Sequence, residues 1–546
     1  MRVPSFHAVR RGCAPLFRAG LSPSDLKGMA SFRRKFLIAF LVIAALGLPY
    51  WGTFFMPGQP MDEGSLLVYP EQILKGKAPY RDFETFYGPA SVYVLAGAYQ
   101  LFGPSINVER TVGALYRVLI FAAIFALFQR WGNTLAAGAV TLAGLALLPI
   151  ECIAYAWFGG LSCALWALWA LRQDDRPRRC YFAGLLGSCA LLYRPDLGPA
   201  LILSMLPFFV SMSWRNRGAL LAGVACGLLP LVVILFVAGP AQVLNNLFLY
   251  PVIYGNPGRR LPLWAFAPGL LSLHFVAVGI NLAAGSIAVY AERQSNRART
   301  LLALALFSLA ITHQAVQRSD FWHVTFAAFF SIALAPVSLS VLAGRLRGLA
   351  MPSRTQALLA CVSVFAVFAF ANPRFIPYAQ NKVGNLFGSE KDIGVYLTIN
   401  GRPYCFEDVQ EAAKLAKVLA SLQAQSKPGQ RLFVGPGDLR RTAANDTFIY
   451  YLMPQLAPAT YFLEMNPLSA NRPDSRLASD VASADWLLLD RSWNSNFEPN
   501  EAAKLGSDAP NKVVASLFEV CAAQDQYVLL RRKQATVPPA DSAAIN

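Results

Sequence analysis

Charge is the scarcest property of this chain. Of its 546 residues only 14% are charged, while 55% are hydrophobic, whereas a soluble globular protein carries about a quarter of its residues charged. The sequence also lacks any CxxC pair or zinc-ligand spacing among its nine cysteines, so neither a redox pair nor a structural zinc site is expected. No internal repeat is visible, which argues against a transporter built from repeated halves. Residues 1–30 are Arg-rich with scattered Pro and have no sustained apolar stretch, so they do not read as a secretory signal. Met29 is an alternative start, and the tail before it is assigned no function.

Long apolar runs take the place of charge. They recur at 36–49, 135–150, 161–171, 220–238, 270–290, 301–312, 324–343 and 357–371, several of them near the roughly 20 residues that a helix needs to cross a bilayer. The net charge of +17 does not indicate nucleic acid, because the cations are not gathered on one domain. They sit in clusters between apolar runs: Arg33-Arg34-Lys35, Arg172 to Arg179, Arg215 to Arg217, Arg293 to Arg299 and Arg345 to Arg354. This is the pattern of cytoplasmic loops. It predicts a cytoplasmic N-terminus and about eleven spans, at 36–54, 111–130, 134–150, 153–171, 180–193, 197–213, 218–238, 263–290, 301–316, 323–343 and 356–371. The spans around Tyr181 and Ile202 are short. An odd number of spans puts the segment after Asn372 outside the cytoplasm.

That segment is polar and mixed in composition. Glu407 to Gln425 has helical periodicity through Ala412, Leu415, Val418, Leu419 and Leu422. Arg431 to Val434, Ala484 to Leu489 and Gln526 to Leu530 read as strands. The division is therefore a basic tail 1–30, a transmembrane domain 31–371 with a first outer loop 55–110, an α/β extracytoplasmic domain 372–533, and a disordered end 534–546. Cys405 and Cys521, the two exported cysteines, form a candidate disulfide, with two separate thiols as the alternative.

The first outer loop holds most of the chemistry. It opens with Met61-Asp62-Glu63-Gly64, runs through a helix-like Glu71 to Gly76, and continues as Pro79-Tyr80-Arg81-Asp82-Phe83-Glu84-Thr85-Phe86-Tyr87-Gly88-Pro89. An amphipathic stretch from Val92 to Phe102 follows, and Glu109-Arg110 introduces the second span. This order resembles the GT-C superfamily of membrane glycosyltransferases, in particular the protein O-mannosyltransferases and the aminoarabinose transferases that modify lipid A. These have an acidic pair early in the loop, two helices lying along the membrane, a Pro-containing turn, and an Arg at the start of the second span. The resemblance covers about the first 200 residues and is topological beyond them. The aminoarabinose transferases carry Lys-Pro-Pro-Leu where this chain has Tyr87-Gly88-Pro89-Ala90. A phosphate-binding lysine is therefore missing, and that family's substrate is not carried over.

The resemblance implies a GT-C-like polytopic helical protein with an extracytoplasmic α/β domain. It would move a sugar from a polyprenyl-phosphate donor to a glycan, lipid or protein acceptor at the cell membrane, with no nucleic-acid partner. Such transfer needs a base for the acceptor hydroxyl and cations for the departing phosphate. Asp62 is the candidate base, and Glu63 orients it or binds acceptor. The same two acids also suit the cap of a helix starting near Ser65. Candidate substrate contacts are Arg81, Asp82, Tyr87, Arg110, Arg194, Asp196, Arg318, Asp320 and His323. Each has a bland alternative: a solvated loop for Arg81 and Asp82, snorkelling or structural pairing for Arg110, mutual pairing for Arg194 and Asp196. Arg259-Arg260 is a second phosphate candidate. No cofactor is expected; a divalent metal on Asp320, His323 and His313 is considered but not favoured. A transporter and a non-catalytic envelope assembly protein are the competing functions.

Overall fold

The computed structural model describes residue 54 and residues 56–172, 176–293, 295–346, 353–386, 394–495 and 498–534. The tail 1–30 with Met29, the cluster at Arg33, the span expected at 36–54 apart from Phe54, and residues 535–546 lie outside the described residues.

The chain is mostly helical. Six described helical segments are long and apolar enough to cross a bilayer by length and composition: Ile106–Trp131, Trp214–Ala238, Pro268–Ala291, Asn296–Gln317, Phe321–Arg345 and Arg354–Ala371. Asn133–Leu147, Ala156–Leu171 and Leu197–Phe209 are apolar but shorter, and Pro177–Tyr193 lies between the last two. The helices around Tyr181 and Ile202, expected to be short, fall outside the six.

The segment Phe321–Leu346 is the pillar of the bundle. Val324, Ala327, Phe329, Phe330, Ile332, Ala333, Leu334 and Val337 are fully buried along it. Trp214–Ala238 and Arg354–Ala371 instead expose large apolar side chains such as Phe236 and Phe370, as helices facing lipid do. One set of polar groups inside the bundle is neutral and paired. His274 Nδ1 meets Ser331 Oγ at 2.8 Å, Asn281 donates to the Ser331 carbonyl at 3.0 Å, and Ser338 donates to Asn281 at 2.7 Å. Such bonds tie helices together where water cannot.

After the bundle come an antiparallel ribbon, β1 (Val395–Ile399) and β2 (Arg402–Phe406), and a five-stranded sheet. The sheet contains β3 (Arg431–Pro436), β4 (Ala457–Pro458), β5 (Trp486–Asp490), β6 (Phe518–Gln524) and β7 (Tyr527–Arg532), in the order β4-β3-β5-β7-β6. β4, β3 and β5 are parallel; β7 and β6 run antiparallel. The amphipathic helix Val409–Gln425 buries Ala412, Leu415, Val418, Leu419 and Leu422 on one face of the sheet. That core is continuous with Leu67, Val68, Tyr69, Phe83 and Val92 of the 55–110 loop, so sheet and loop share one apolar interior. Gly64 makes this docking possible, since a Cβ there would lie 2.5 Å from the backbone nitrogen of Phe448.

The Cys405–Cys521 disulfide does not form. Cys405 lies on β2 of the ribbon and Cys521 on β6 of the separate sheet, where the Cys521 thiol donates to the Leu529 carbonyl at 3.5 Å.

Candidate functional site

The site assembles at the end of the bundle that carries the sheet. Asp62 is the first residue of the helix Asp62–Leu74, whose Met61 N-cap makes no side-chain bond. The two acids therefore lie in the first turn, where the helix dipole favours them, and do not form a cap near Ser65. Side by side, they have different surroundings. Glu63 is fully buried and grips Arg110, with Nε–Oε1 at 2.6 Å and Nη2–Oε2 at 2.9 Å. Arg110 spends its remaining nitrogen on the carbonyls of Phe54 (2.7 Å) and Met56 (2.9 Å), and the Gln59 amide donates to Glu63. This pair anchors the loop to the bundle.

Asp62 is half-buried. Burial raises its carboxyl above the usual range, against the opposing pull of His323, Arg318 and Arg259; Asp320 adds to the rise. The first turn of the loop helix and the 318–323 connection, more than 250 residues apart in sequence, thus act on one another electrostatically.

In that connection Asp320 caps the helix Phe321–Leu346, accepting the His323 amide at 2.8 Å. Its carboxylate also takes Arg318 Nε at 2.8 Å and His323 Nδ1 at 2.9 Å. Burial alone would raise it; His323 and Arg318 prevail and hold it at about 2. Arg318 turns its outer nitrogens to Glu498, with Nη1–Oε2 at 2.9 Å, and to the Arg259 carbonyl at 3.3 Å.

Arg194 and Asp196 pair with each other, Nε–Oδ1 at 2.9 Å and Nη2–Oδ2 at 2.5 Å. Gln314 accepts from Arg194 at 3.1 Å, and His313 Nε2 lies 3.0 Å from Asp196. Burial would raise Asp196, but Arg194 and His313 keep it well below the ordinary carboxylate range. Tyr87 links this pair to the rest: its phenol, pushed up by burial, is influenced by Glu464, Asp62, Arg259 and Arg194. The turn after it docks tightly. The Gly88 amide donates to the Tyr193 carbonyl at 3.0 Å, and a Cβ at Gly88 would meet the Leu192 carbonyl at 2.1 Å.

Asp62 responds to Arg318, Asp320 and His323, and Tyr87 to both Asp62 and Arg194, so these residues share one electrostatic neighbourhood, with Asp196 held on Arg194. Arg81 and Asp82 are not in it. They pair with each other at 2.8 Å, and with Phe83 they line a separate cleft. Because His313 turns to Asp196 while His323 turns to Asp320, these side chains do not form one ligand set. Among the described residues no group of three or more His, Cys, Asp or Glu is placed to hold a metal ion.

Two members of the neighbourhood carried no local sequence signal. Glu464 accepts from the Tyr69 hydroxyl at 3.2 Å and from Asn466 at 3.3 Å. Burial first, and then Asp62, lift it to about 7, against Arg259. Glu498 is the partner of Arg318. Nearby, Glu84 accepts from the Ser469 hydroxyl, and burial pushes it up to about 8.

A helical bundle whose first loop docks against a C-terminal sheet is a fold that this chain shares with solved structures. Among these solved structures are two of ArnT. ArnT from Cupriavidus metallidurans bound to undecaprenyl phosphate matches with a TM-score of 0.53 at 16% identity, over 92% of this chain and 99% of that one. The same protein in the apo state matches with a TM-score of 0.50 at 15% identity, over 90% and 97%. The likeness seen in the first 200 residues thus extends over most of the chain as one of fold. No family model and no curated protein matches the sequence.

Proposed function

We propose that this protein is an integral membrane glycosyltransferase of the GT-C type. It takes a sugar from a polyprenyl-phosphate donor and delivers it to an extracytoplasmic glycan, lipid or protein acceptor, with Asp62 as general base. The observation that carries this reading is the half-buried Asp62 carboxyl in the field of Arg318, Arg259 and His323. A base beside a cluster of cations is what the chemistry requires: the base takes the acceptor proton while the cations stabilise the phosphate that leaves. Arg318 and Arg194 are assigned to the donor phosphate, Tyr87 to the sugar or acceptor, and the Glu63–Arg110 pair to holding Asp62 in position. The neighbour solved with undecaprenyl phosphate supports a lipid-linked donor for this fold. The loop and the sheet are assigned to the extracytoplasmic side, the N-terminus to the cytoplasm.

The raised carboxyl of Asp62 fits a base that works at neutral pH and is lost on acidification. Asp62→Asn keeps the size and removes the basicity. In membranes given a polyprenyl-phosphate sugar, transfer should fall by about 10²–10⁴-fold while the protein still folds. Normal transfer by this variant would sink the assignment and favour a non-catalytic assembly role. A reporter fused after Lys533 that works only in the cytoplasm should stay silent.

A further inference from the structure

The geometry points to a second anion site, a phosphate-binding cleft whose lining does not include Asp62. A cleft of about 240 Å³ opens where the loop meets the sheet, and its lining includes the cations Lys77, Arg81, Arg431 and Arg476. The one acid in the lining is Asp82, so the walls carry an excess of three positive charges, four cations less one carboxylate.

The cleft is built from three elements. Lys77, Arg81 and Asp82 come from the 75–83 turn of the loop. Arg431 begins β3, and Arg476 precedes the helix Leu477–Ala482. Tyr461 holds them together: its hydroxyl donates to the Tyr80 carbonyl at 2.8 Å, its carbonyl accepts the Glu84 amide at 2.8 Å, and the Arg476 guanidinium lies 5.4 Å over its ring. The space between these cations is thus fixed by backbone contacts across the seam.

The cations differ in how firmly they are held. Arg81 pairs with Asp82, and Arg476 with Asp480 at 2.9 Å, but the guanidinium side of each pair is about half exposed, 49% and 57%. The Arg81–Asp82 pair is open to water and so weak and screened by salt, whereas Asp480 is buried and keeps hold of Arg476. Arg431 donates from its side chain to the Ala459 carbonyl at 3.2 Å, and its amide, not its guanidinium, donates to Asp485. Neither Arg431 nor Lys77 has a carboxylate ion-pair partner among the described residues. A tetrahedral phosphate offers Arg81 and Arg431 a stronger, bidentate acceptor than the partly solvated Asp82 or the single Ala459 carbonyl does. The volume suits a phosphate carrying a small substituent.

One wall residue of the cleft touches the apolar bundle. Arg81 Nη1 approaches the Val237 carbonyl at 3.5 Å, at the end of the segment Trp214–Ala238 that is long and apolar enough to cross a bilayer. A phosphate at this level comes either from a lipid headgroup or from a soluble phosphate ester. The inference stands independently of the glycosyl-transfer reading, because it uses none of the residues around Asp62.

The test uses the full chain in nanodiscs of phosphatidylcholine, with inorganic phosphate as probe and no donor or acceptor present. Saturable phosphate binding that weakens as salt rises is expected. In the double variant Lys77→Gln, Arg431→Gln, both on the solvated wall, binding should weaken about tenfold or more, and Lys77→Arg alone should retain it. Including phosphatidylglycerol in the disc distinguishes the sources. Competition with inorganic phosphate assigns the cleft to a lipid headgroup, and unchanged binding assigns it to a soluble phosphate ester. No saturable binding, or binding indifferent to the double variant in a protein with unchanged thermal unfolding, overturns the proposal.

Discussion

The foot of the first loop and the rim of the bundle both carry an arginine held by a glutamate, yet the two pairs differ in kind. At the foot, Glu63 and Arg110 have no exposed surface, and every nitrogen and oxygen facing inward is matched to a named partner. At the rim, Arg318 and Glu498 keep about a quarter of their side-chain surface, and Asp320 and His323 share the same small space. A fully enclosed pair has no room for a ligand and serves the fold. A pair left open to water can exchange one partner for another, and for that reason the rim, not the foot, is where a donor phosphate is proposed.

Breaking the foot should have the largest effect. Arg110→Met leaves Glu63 buried without its cation, next to a second buried acid, Glu109. Loss of one partner from such a pair costs about 3–5 kcal/mol. The measurement is thermal unfolding in detergent, where a large fall in midpoint is expected. An unchanged midpoint would mean that the pair does not anchor the loop.

The seam between loop and sheet should respond to pH. Glu84 lies at about 8 and Glu464 at about 7, both raised by burial above the usual 4.5. The folded state therefore binds these protons more tightly than the unfolded chain. Their contribution to stability is full below about 4.5 and is lost as pH rises through 7 to 8. Between pH 5 and pH 8.5 stability should drop by an amount on the order of a few kcal/mol, and Glu84→Gln should flatten the curve. A midpoint that rises over this window would contradict the burial of both acids.

At the rim, Arg318→Ala should weaken binding of the polyprenyl-phosphate donor by about 10–100-fold, as expected for loss of a charge-assisted contact. Thermal unfolding should change far less than in Arg110→Met. If the two variants behaved alike, the distinction between an enclosed and an open pair would fail.

Much of this was readable from the chain. The positive clusters and apolar runs mark out the bundle because the bilayer imposes a length and a charge rule on every helix. Glu407 to Gln425 is helical as its periodicity predicts, in the segment Val409–Gln425, and the strand patterns at 431, 484 and 526 correspond to β3, β5 and β7. The β1–β2 ribbon was missed although its signal was present: Asn400-Gly401, both at positive φ, form the kind of turn that closes a hairpin. Arg194 and Arg318 are candidates because charges at span ends stand out in an apolar chain, and Asp62 because the family resemblance singles out its acidic pair. Glu464 and Glu498 are not, because they lie in a polar segment where an acid is unremarkable. Only tertiary packing brings them to the rim. The same packing takes Arg81 and Asp82 away: the 79–83 turn directs them to the cleft beside Arg431, while Tyr87, a few residues on, lies within the electrostatic reach of Asp62.

The smallest and sharpest effect concerns Glu498. It occupies two nitrogens of Arg318, the geometry a phosphate would also take, while Asp320 holds Nε. A donor phosphate binding at Arg318 must therefore displace Glu498 but can leave Asp320, which is needed to cap the helix Phe321–Leu346. Glu498→Gln keeps the size and removes the competing charge. Donor affinity should rise several-fold, the scale set by a partly exposed ion pair of up to about 1 kcal/mol, and the gain should shrink as salt screens the pair in the parent protein. Asp320→Asn should not give the same gain, because it loosens His323 and the helix start together. Equal donor affinity in Glu498→Gln and the parent, at low salt, would show that the phosphate does not replace Glu498 on Arg318. The open pair at the rim would then be as structural as the closed one at the foot.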